Sequence, residues 1–254
     1  MPRDLKATGV VREMDKILCD FMDNTRYFHE PHNLGRAHMF VYQHRQNTRY
    51  RNSVLKLKVA TNTPDWETRL RIIGASAEEI IADNEFGGGL AHWQILENLG
   101  VSMGMSKAKI RAATPIKTTQ LAWNAWTGLM DSKHWLLGLV ANVVAERANI
   151  SGYGKGGIIK KHGWFGLERQ RWAKSTGLAD DKLGFFKLHE AADEIHSDLG
   201  WKAVGEHAKK LRMEDEVLEA AKQNLAVWEL YLNGIGDAGD ELDKTLAKGR
   251  RKAA

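Results

Sequence analysis

The first strong pattern along the chain is an apolar repeat near residue 10, at intervals of three and four residues. The repeating positions are Val10, Val11, Met14, Ile17, Leu18, Phe21 and Met22. This spacing is the period of one face of an α-helix. Asn24 and the turn-forming segment 30–33 follow it. The pattern therefore predicts an amphipathic first helix that ends near Asn24.

Two longer helices are predicted next. One spans about 35–60. Another begins at Thr63, where a capping residue is followed by Pro64 and Asp65, a strong start signal. Apolar spacing continues this third helix to about Leu96, with three consecutive glycines at 87–89 inside it.

The remaining chain also shows helical patterns and no alternating strand pattern of useful length. Two helices are predicted to begin at Ser106 and Thr114. Further helices are predicted at 134–149, about 180–199, 202–211 and 213–232, the second of these capped by Asp180 or Asp181. A loop is predicted at 151–157. All four prolines lie in the first half, which permits helix throughout the second. The prediction is one all-α domain, 1–254, of seven or eight helices, with its core at about 25–235 and a polar, basic tail at 236–254.

Composition narrows the class of protein. Of 254 residues, 43% are apolar, enough for a full core, which excludes a disordered chain. Cys19 has no partner for an intrachain disulfide, so a reducing cytoplasm is predicted. The net charge of +5 forms no dense stripe, which argues against nucleic-acid binding. The longest uncharged apolar run, 135–145, is about half of what a bilayer requires, and the polar start predicts no signal peptide.

Candidate chemistry begins with Glu85 and His92, seven residues apart and therefore on one face of a continuous helix. The glycines 87–89 lie between them, and each costs a helix interior about 1 kcal/mol relative to alanine. The combination favours a helix that must deform or let a ligand approach its backbone.

A second cluster is His189, Asp193 and His196, whose offsets of four and seven place them on one stripe. Glu146 follows the apolar run 135–145, where a carboxylate is costly unless a cation neutralises it. Taken alone, His92 and the 189–196 cluster are each more often structural than metal-binding. For Glu146 alone, the two roles are equally frequent. Together they supply three imidazoles and three carboxylates, close to the inventory of a dinuclear iron, manganese or zinc site in a helical bundle.

These motifs resemble the haem-oxygenase-like di-iron oxidases and oxygenases, relatives by fold of the pyrroloquinoline-quinone synthesis protein C and thiaminase II. The shared pattern is Glu, His seven residues later, a lone Glu about sixty residues on, and His-x3-Asp-x2-His. The resemblance covers about 25–235 and implies a seven-helix up-and-down bundle without haem. It implies two ferrous ions, with manganese as an alternative, and Glu146 as the bridging residue. The implied ligands are Glu85, His92, Glu146, His189, Asp193 and His196.

The resemblance also implies a function. Such enzymes reduce dioxygen and oxidise a bound small molecule, here expected to be an amino acid or related carboxylate. Carbon–carbon cleavage, desaturation and nitrogen oxygenation all stay open, within specialised-metabolite or cofactor synthesis. The reaction could use an external electron donor. A homodimer is expected, because members of the family commonly form one.

One departure is the long interval between Glu146 and His189. It includes a glycine- and lysine-rich segment, 151–161, which could form a lid or contribute to the substrate pocket. Arg45 and Lys155 are candidates for binding a substrate carboxylate.

Three alternatives remain. The main one is a metal-free enzyme on the same bundle, either a cofactor-less oxidase or a thiaminase-type hydrolase. The hydrolase needs a nucleophilic thiol, and Cys19 lies in an apolar stripe where an inert thiol is expected. A binding module would not need intact ligands. A catalytic zinc site generally uses three protein ligands rather than six.

Overall fold

The computed structural model describes residues 9–131, 134–152 and 157–253, except for the side chains of 157–159, 191–192, 194–199 and 250–253. Within these ranges the chain is helical, with one isolated β-bridge and no strand. The helices are α1 (Val10–Asn24), α2 (Leu34–Tyr50), α3 (Lys56–Asn62), α4 (Trp66–Ile80), α5 (His92–Ser102), α6 (Lys107–Ala112), α7 (Lys117–Met130), α8 (Trp135–Val143), α9 (Gly157–Thr176), α10 (Gly184–Leu211) and α11 (Glu214–Ala253). The predicted all-α fold is confirmed. The described residues form eleven α-helices rather than seven or eight, because several predicted helices are broken and α9 was not predicted.

A π-helical segment joins α2 to α3. The predicted helix 35–60 is present as α2, the π segment Arg51–Leu55 and α3, in unbroken succession. A π turn holds an extra residue and so rotates the side chains that follow it relative to those before. Arg51, Asn52 and Lys56 are all buried as a result, in the middle of a long helix. The π segment thus places polar side chains in the interior.

The predicted third helix is in fact two helices, α4 and α5. The Asp65 carboxylate accepts the Thr68 backbone N–H at 2.9 Å, so α4 is capped by Asp65 rather than by Thr63. Helix α4 ends at Ile80, and the chain turns before α5 begins. Gly88 and Gly89 have φ of 60° and 80°, which side chains rarely adopt. The glycines therefore form a turn between two helices and do not lie inside one.

The second half of the chain departs from the prediction in three places. Helix α8 stops at Val143, and the 3₁₀ turn Glu146–Asn149 follows it. Helix α10 is continuous where two helices were expected. Gly200, at the expected break, lies within the helix and packs closely on Val143. Helix α11 runs on through most of the predicted tail 236–254, with Ile235 buried on its inner face.

Helices α2 and α11 pack closely along the bundle. The Arg36 guanidinium donates to both carboxylate oxygens of Asp240, at 2.8 and 2.6 Å, and to Glu30 at 2.6 Å. Bidentate, charge-assisted contacts of this kind are strong and directional. They fix the register of the two helices at the end of the bundle where α2 begins.

In the part of the chain that the structure describes, no helix has the length and apolar character needed to cross a bilayer.

We expect Gly239→Ala to destabilise the fold. A Cβ at position 239 would lie 2.5 Å from the Arg36 Cα, and backbone cannot move aside as a flexible side chain can. The expected loss is about 1–3 kcal/mol of unfolding free energy, measured by urea denaturation. Gly249→Ala in the same helix is the control, because a Cβ there meets nothing within 4 Å. Equal stability of the two variants would contradict the proposed close packing.

Candidate metal centre

A carboxylate on α4 forms the middle of a polar cluster in the interior. Thr68, Ile72 and Ser76 mark the buried face of α4, and Glu79 continues it at the next helical interval. Its side chain is 18% exposed. Glu79 Oε2 accepts a hydrogen bond from Asn52 Nδ2 at 2.6 Å and lies 3.1 Å from His92 Nδ1. Glu79 is therefore positioned by side chains from two other helical segments.

His92, the first residue of α5, is held by the turn that precedes it. Its Nε2 lies 3.1 Å from Asp83 Oδ2, while Asp83 Oδ1 accepts the backbone N–H groups of Glu85 and Phe86 at 3.0 and 2.8 Å. Burial lowers the pKa of His92, but the carboxylates of Glu79 and Asp83 outweigh it and raise that pKa to about 9. The turn thus orients the ring so that Nδ1 faces Glu79.

His189 on α10 is oriented in the same way. Its Nδ1–H donates to the backbone carbonyl of Phe185 at 2.8 Å, which leaves Nε2 as the free nitrogen. The ring centroids of His189 and His92 are 4.7 Å apart. Burial, with the nearby charge of His92, lowers the pKa of His189 to about 3. A neutral imidazole with a free nitrogen is the form that ligates metals.

Ligand atoms of Glu79, His92 and His189 all lie within 4.8 Å of one another. His92 Nδ1 is buried and faces Glu79 Oε2 at 3.1 Å, an ion-pair contact that lacks hydrogen-bond geometry. Both imidazoles are fixed through their other nitrogen by a carboxylate or a carbonyl, as is usual for metal-binding histidines. Two histidines and one carboxylate with open positions suit ferrous iron. The residues present fit an iron ion.

Two further carboxylates face the same enclosed space, a cavity of about 50 Å³ that Glu79, Glu146, His189 and Asp193 help to line. Asp193 Oδ2 accepts a hydrogen bond from Asn149 Nδ2 at 2.6 Å. Burial and the charge of Glu146 raise the pKa of Asp193 well above its ordinary value. The cavity has room for water-sized molecules beside the triad. We call the triad and these two carboxylates the metal centre.

The structure brings together four of the six residues predicted from the sequence. His92, Glu146, His189 and Asp193 all belong to this candidate metal centre. The side chain of His196 lies outside the described residues. The expectation that Glu85 shares a helix face with His92 is wrong. Glu85 is exposed in the turn, because α4 ends before it, and it is not among the residues that form the triad or line the cavity.

Sequence reasoning missed Glu79, Asp83 and Lys56. Glu79 could have been found, because it continues the buried stripe of α4 at the spacing of Ile72 and Ser76. Asp83 follows Glu79 by four residues, but its role depends on the turn. The burial of Lys56 could not be predicted from the sequence, since a lysine in a helix is ordinarily exposed to solvent.

Other candidates from the sequence have different surroundings. Arg45 is buried and donates to Glu97 at 2.7 Å, so its charge is paired within the fold. Lys155 lies outside the described residues, as does most of the predicted loop 151–157. Cys19 is half-buried on α1 and is not among the residues that line the metal centre.

We expect Glu79→Gln to weaken ferrous iron binding by at least about tenfold, because an amide keeps the shape but loses the charge that pairs with the ion. Glu85→Gln, a matched change in the turn, should bind iron like the parent. Anaerobic equilibrium dialysis with metal analysis measures both. Loss of binding in Glu85→Gln with retention in Glu79→Gln would reverse the assignment.

The fold is similar to that of a solved structure. The crystal structure of a domain of unknown function with a haem oxygenase-like fold, from Shewanella denitrificans OS217, superposes with a TM-score of 0.69. The similarity covers 89% of this chain and 90% of that one, at 13% sequence identity. At so low an identity it shows the fold alone.

No curated protein matches the chain in sequence. Residues 40–229, which include the whole of the metal centre, match the family described as iron-containing redox enzymes. The chain therefore belongs to this family of iron-containing redox enzymes, and its fold is haem-oxygenase-like.

Proposed function

We propose that the chain is a non-haem iron oxidase or oxygenase that uses dioxygen to oxidise a small molecule. The observation that carries this proposal is the pair of buried imidazoles, His92 and His189, each fixed through one nitrogen and converging on the Glu79 carboxylate. When bound there, ferrous iron would supply the electrons that reduce dioxygen, and three protein ligands leave positions open for it.

A second ferrous ion is part of the proposal. Glu146 and Asp193 line the same cavity as Glu79 and would supply the remaining donors, with Glu146 and Glu79 as the residues able to face both ions. Manganese is the alternative metal, since it accepts the same ligand types.

The walls of the cavity suit oxidation chemistry. Trp164, Phe165 and Trp228 line it, and the His189 ring packs against Phe165 with centroids 4.7 Å apart. The Arg51 guanidinium lies over the Trp228 ring at 5.3 Å, so even the charged wall is covered by an aromatic face. These aromatic faces limit the access of water on one side of the cavity, and bulk water would otherwise intercept a reactive oxidant.

A second cavity, of about 260 Å³, is the proposed substrate site. It lies between α4, α8 and α10, and shares the lining residues Asn142 and Glu146 with the cavity of the metal centre. Most of its lining surface is apolar. Among the described lining residues, Glu78 and Glu146 are acidic, and the exposed Arg71 is basic. An arginine pairs well with a carboxylate. We therefore propose an amino acid or related carboxylate with an apolar side chain; cleavage, desaturation and nitrogen oxygenation all fit this arrangement.

We expect the iron-loaded protein to consume dioxygen, and consumption to accelerate with a suitable carboxylate. The test loads the apoprotein with ferrous iron anaerobically, admits dioxygen, and follows its uptake with an oxygen electrode across a panel of amino acids and short-chain carboxylates. Glu79→Gln should lower the rate at least about tenfold, whereas Glu85→Gln should not. A loaded parent protein with no uptake under any condition would favour the metal-free alternative.

Gly74→Phe should block the substrate cavity and leave the metal centre intact. Gly74 lines that cavity, and a Cβ there meets nothing within 4 Å, so the ring can fill the space without displacing the fold. We expect unchanged iron content and at least about a tenfold loss of the acceleration by the stimulating carboxylate. Gly128→Phe, at an equally open helical position on α7, is the control. Full acceleration in Gly74→Phe would place the substrate elsewhere.

A further inference from the structure

Lys56 puts a positive charge between two carboxylates of the metal centre. Its side chain is 2% exposed, and its Nζ lies 3.3 Å from Glu79 Oε1 and 3.1 Å from Glu146 Oε1. The residue comes directly after the π segment, which turns it inward. Glu79 therefore divides its two oxygens, with Oε2 toward His92 and Oε1 toward Lys56.

This arrangement matches what a second metal ion would need. An ion held by Glu146 and sharing Glu79 with the triad would sit between these two carboxylates, which is where the ammonium sits. A compact cation with two carboxylate contacts supplies one of the two positive charges that a divalent ion would bring to these oxygens. Lys56 and a second ion therefore compete for the same oxygens.

Charge balance points the same way. Among the described side chains that line the cavity, Glu79, Glu146 and Asp193 carry at most three negative charges, and Arg51 and Lys56 carry two positive charges. One divalent ion already turns the balance positive. A second ion, with Lys56 still in place, would leave at least three uncompensated positive charges in a largely enclosed space, which is costly.

We infer that the Lys56 ammonium is a built-in substitute for the second metal ion. The centre then holds one ion tightly at Glu79, His92 and His189, and a second ion binds only when Lys56 withdraws from Glu79 and Glu146. This inference rests on the proposed function for the first ion and narrows it, since it makes Lys56 the residue that sets how many ions the centre retains.

The experiment measures ferrous iron stoichiometry by anaerobic equilibrium dialysis and metal analysis for four proteins. These are the parent, Lys56→Met, Lys56→Arg and Lys58→Met. Methionine fills a similar volume without charge, and arginine keeps the charge. Lys58 is the matched control, because it lies two residues away, is only half-buried, and pairs with Asp131. Circular dichroism and melting curves check that each variant folds, and Lys56→Gln replaces Lys56→Met if the latter does not.

We expect one tightly bound ion in the parent, Lys56→Arg and Lys58→Met, and two in Lys56→Met, with the second bound at least about tenfold more tightly than in the parent. Manganese EPR on the same proteins gives an independent readout, since only two neighbouring ions show spin coupling. A parent that holds two ions tightly would overturn the role of Lys56 and leave the proposed function standing. An unchanged single ion in the neutral variant would overturn the role of Lys56 and the proposed second ion, and would leave the first ion of the proposed function standing. No iron in any protein would reject the proposed function itself.

Discussion

The carboxylate of Glu79 is the constraint on which the interior depends. A charge in a largely enclosed position is stable only if partners replace the water it has lost. Three partners do so here: the amide of Asn52, the ammonium of Lys56 and the imidazole of His92. They come from the π segment, from α3 and from α5. The positions of these three elements relative to α4 therefore depend on one side chain, that of Glu79.

Irregular backbone places Glu146 and several of the polar side chains that surround the metal centre. Asn52 lies in the π segment and Lys56 directly after it; Asp83 lies in the glycine turn, and Glu146 begins the 3₁₀ turn after α8. A regular helix can present side chains to one site only at intervals of three or four residues. Bringing donors from several segments to one point therefore requires helices to stop, bulge or turn beside it, and π segments are often found at functional sites for this reason.

The aromatic packing around the centre decides the state of its ligands. His189 lies among Phe165, Phe185 and the ring of His92, and this burial keeps its imidazole neutral, with a free nitrogen. His92 differs, because Glu79 and Asp83 both face it and favour its protonated form in the absence of a metal. A metal ion would replace that proton between His92 and Glu79. The negative charge of the cluster is thus compensated either by a proton on His92 or by a metal ion.

The sequence by itself determined the helical class, the first helix and the long second helix, because apolar periodicity is a local property that packing preserves. It also singled out His92, Glu146, His189 and Asp193, which the structure brings close together, since ligand-type residues on apolar faces stand out in a linear chain. Only the tertiary structure decided that Glu79 rather than Glu85 faces His92. A seven-residue interval defines a shared face only while the helix continues, and the positive φ angles at Gly88 and Gly89 end it. The inward turn of Lys56 was equally hidden, because a lysine becomes a buried partner only where carboxylates from distant segments, Glu79 and Glu146, meet it.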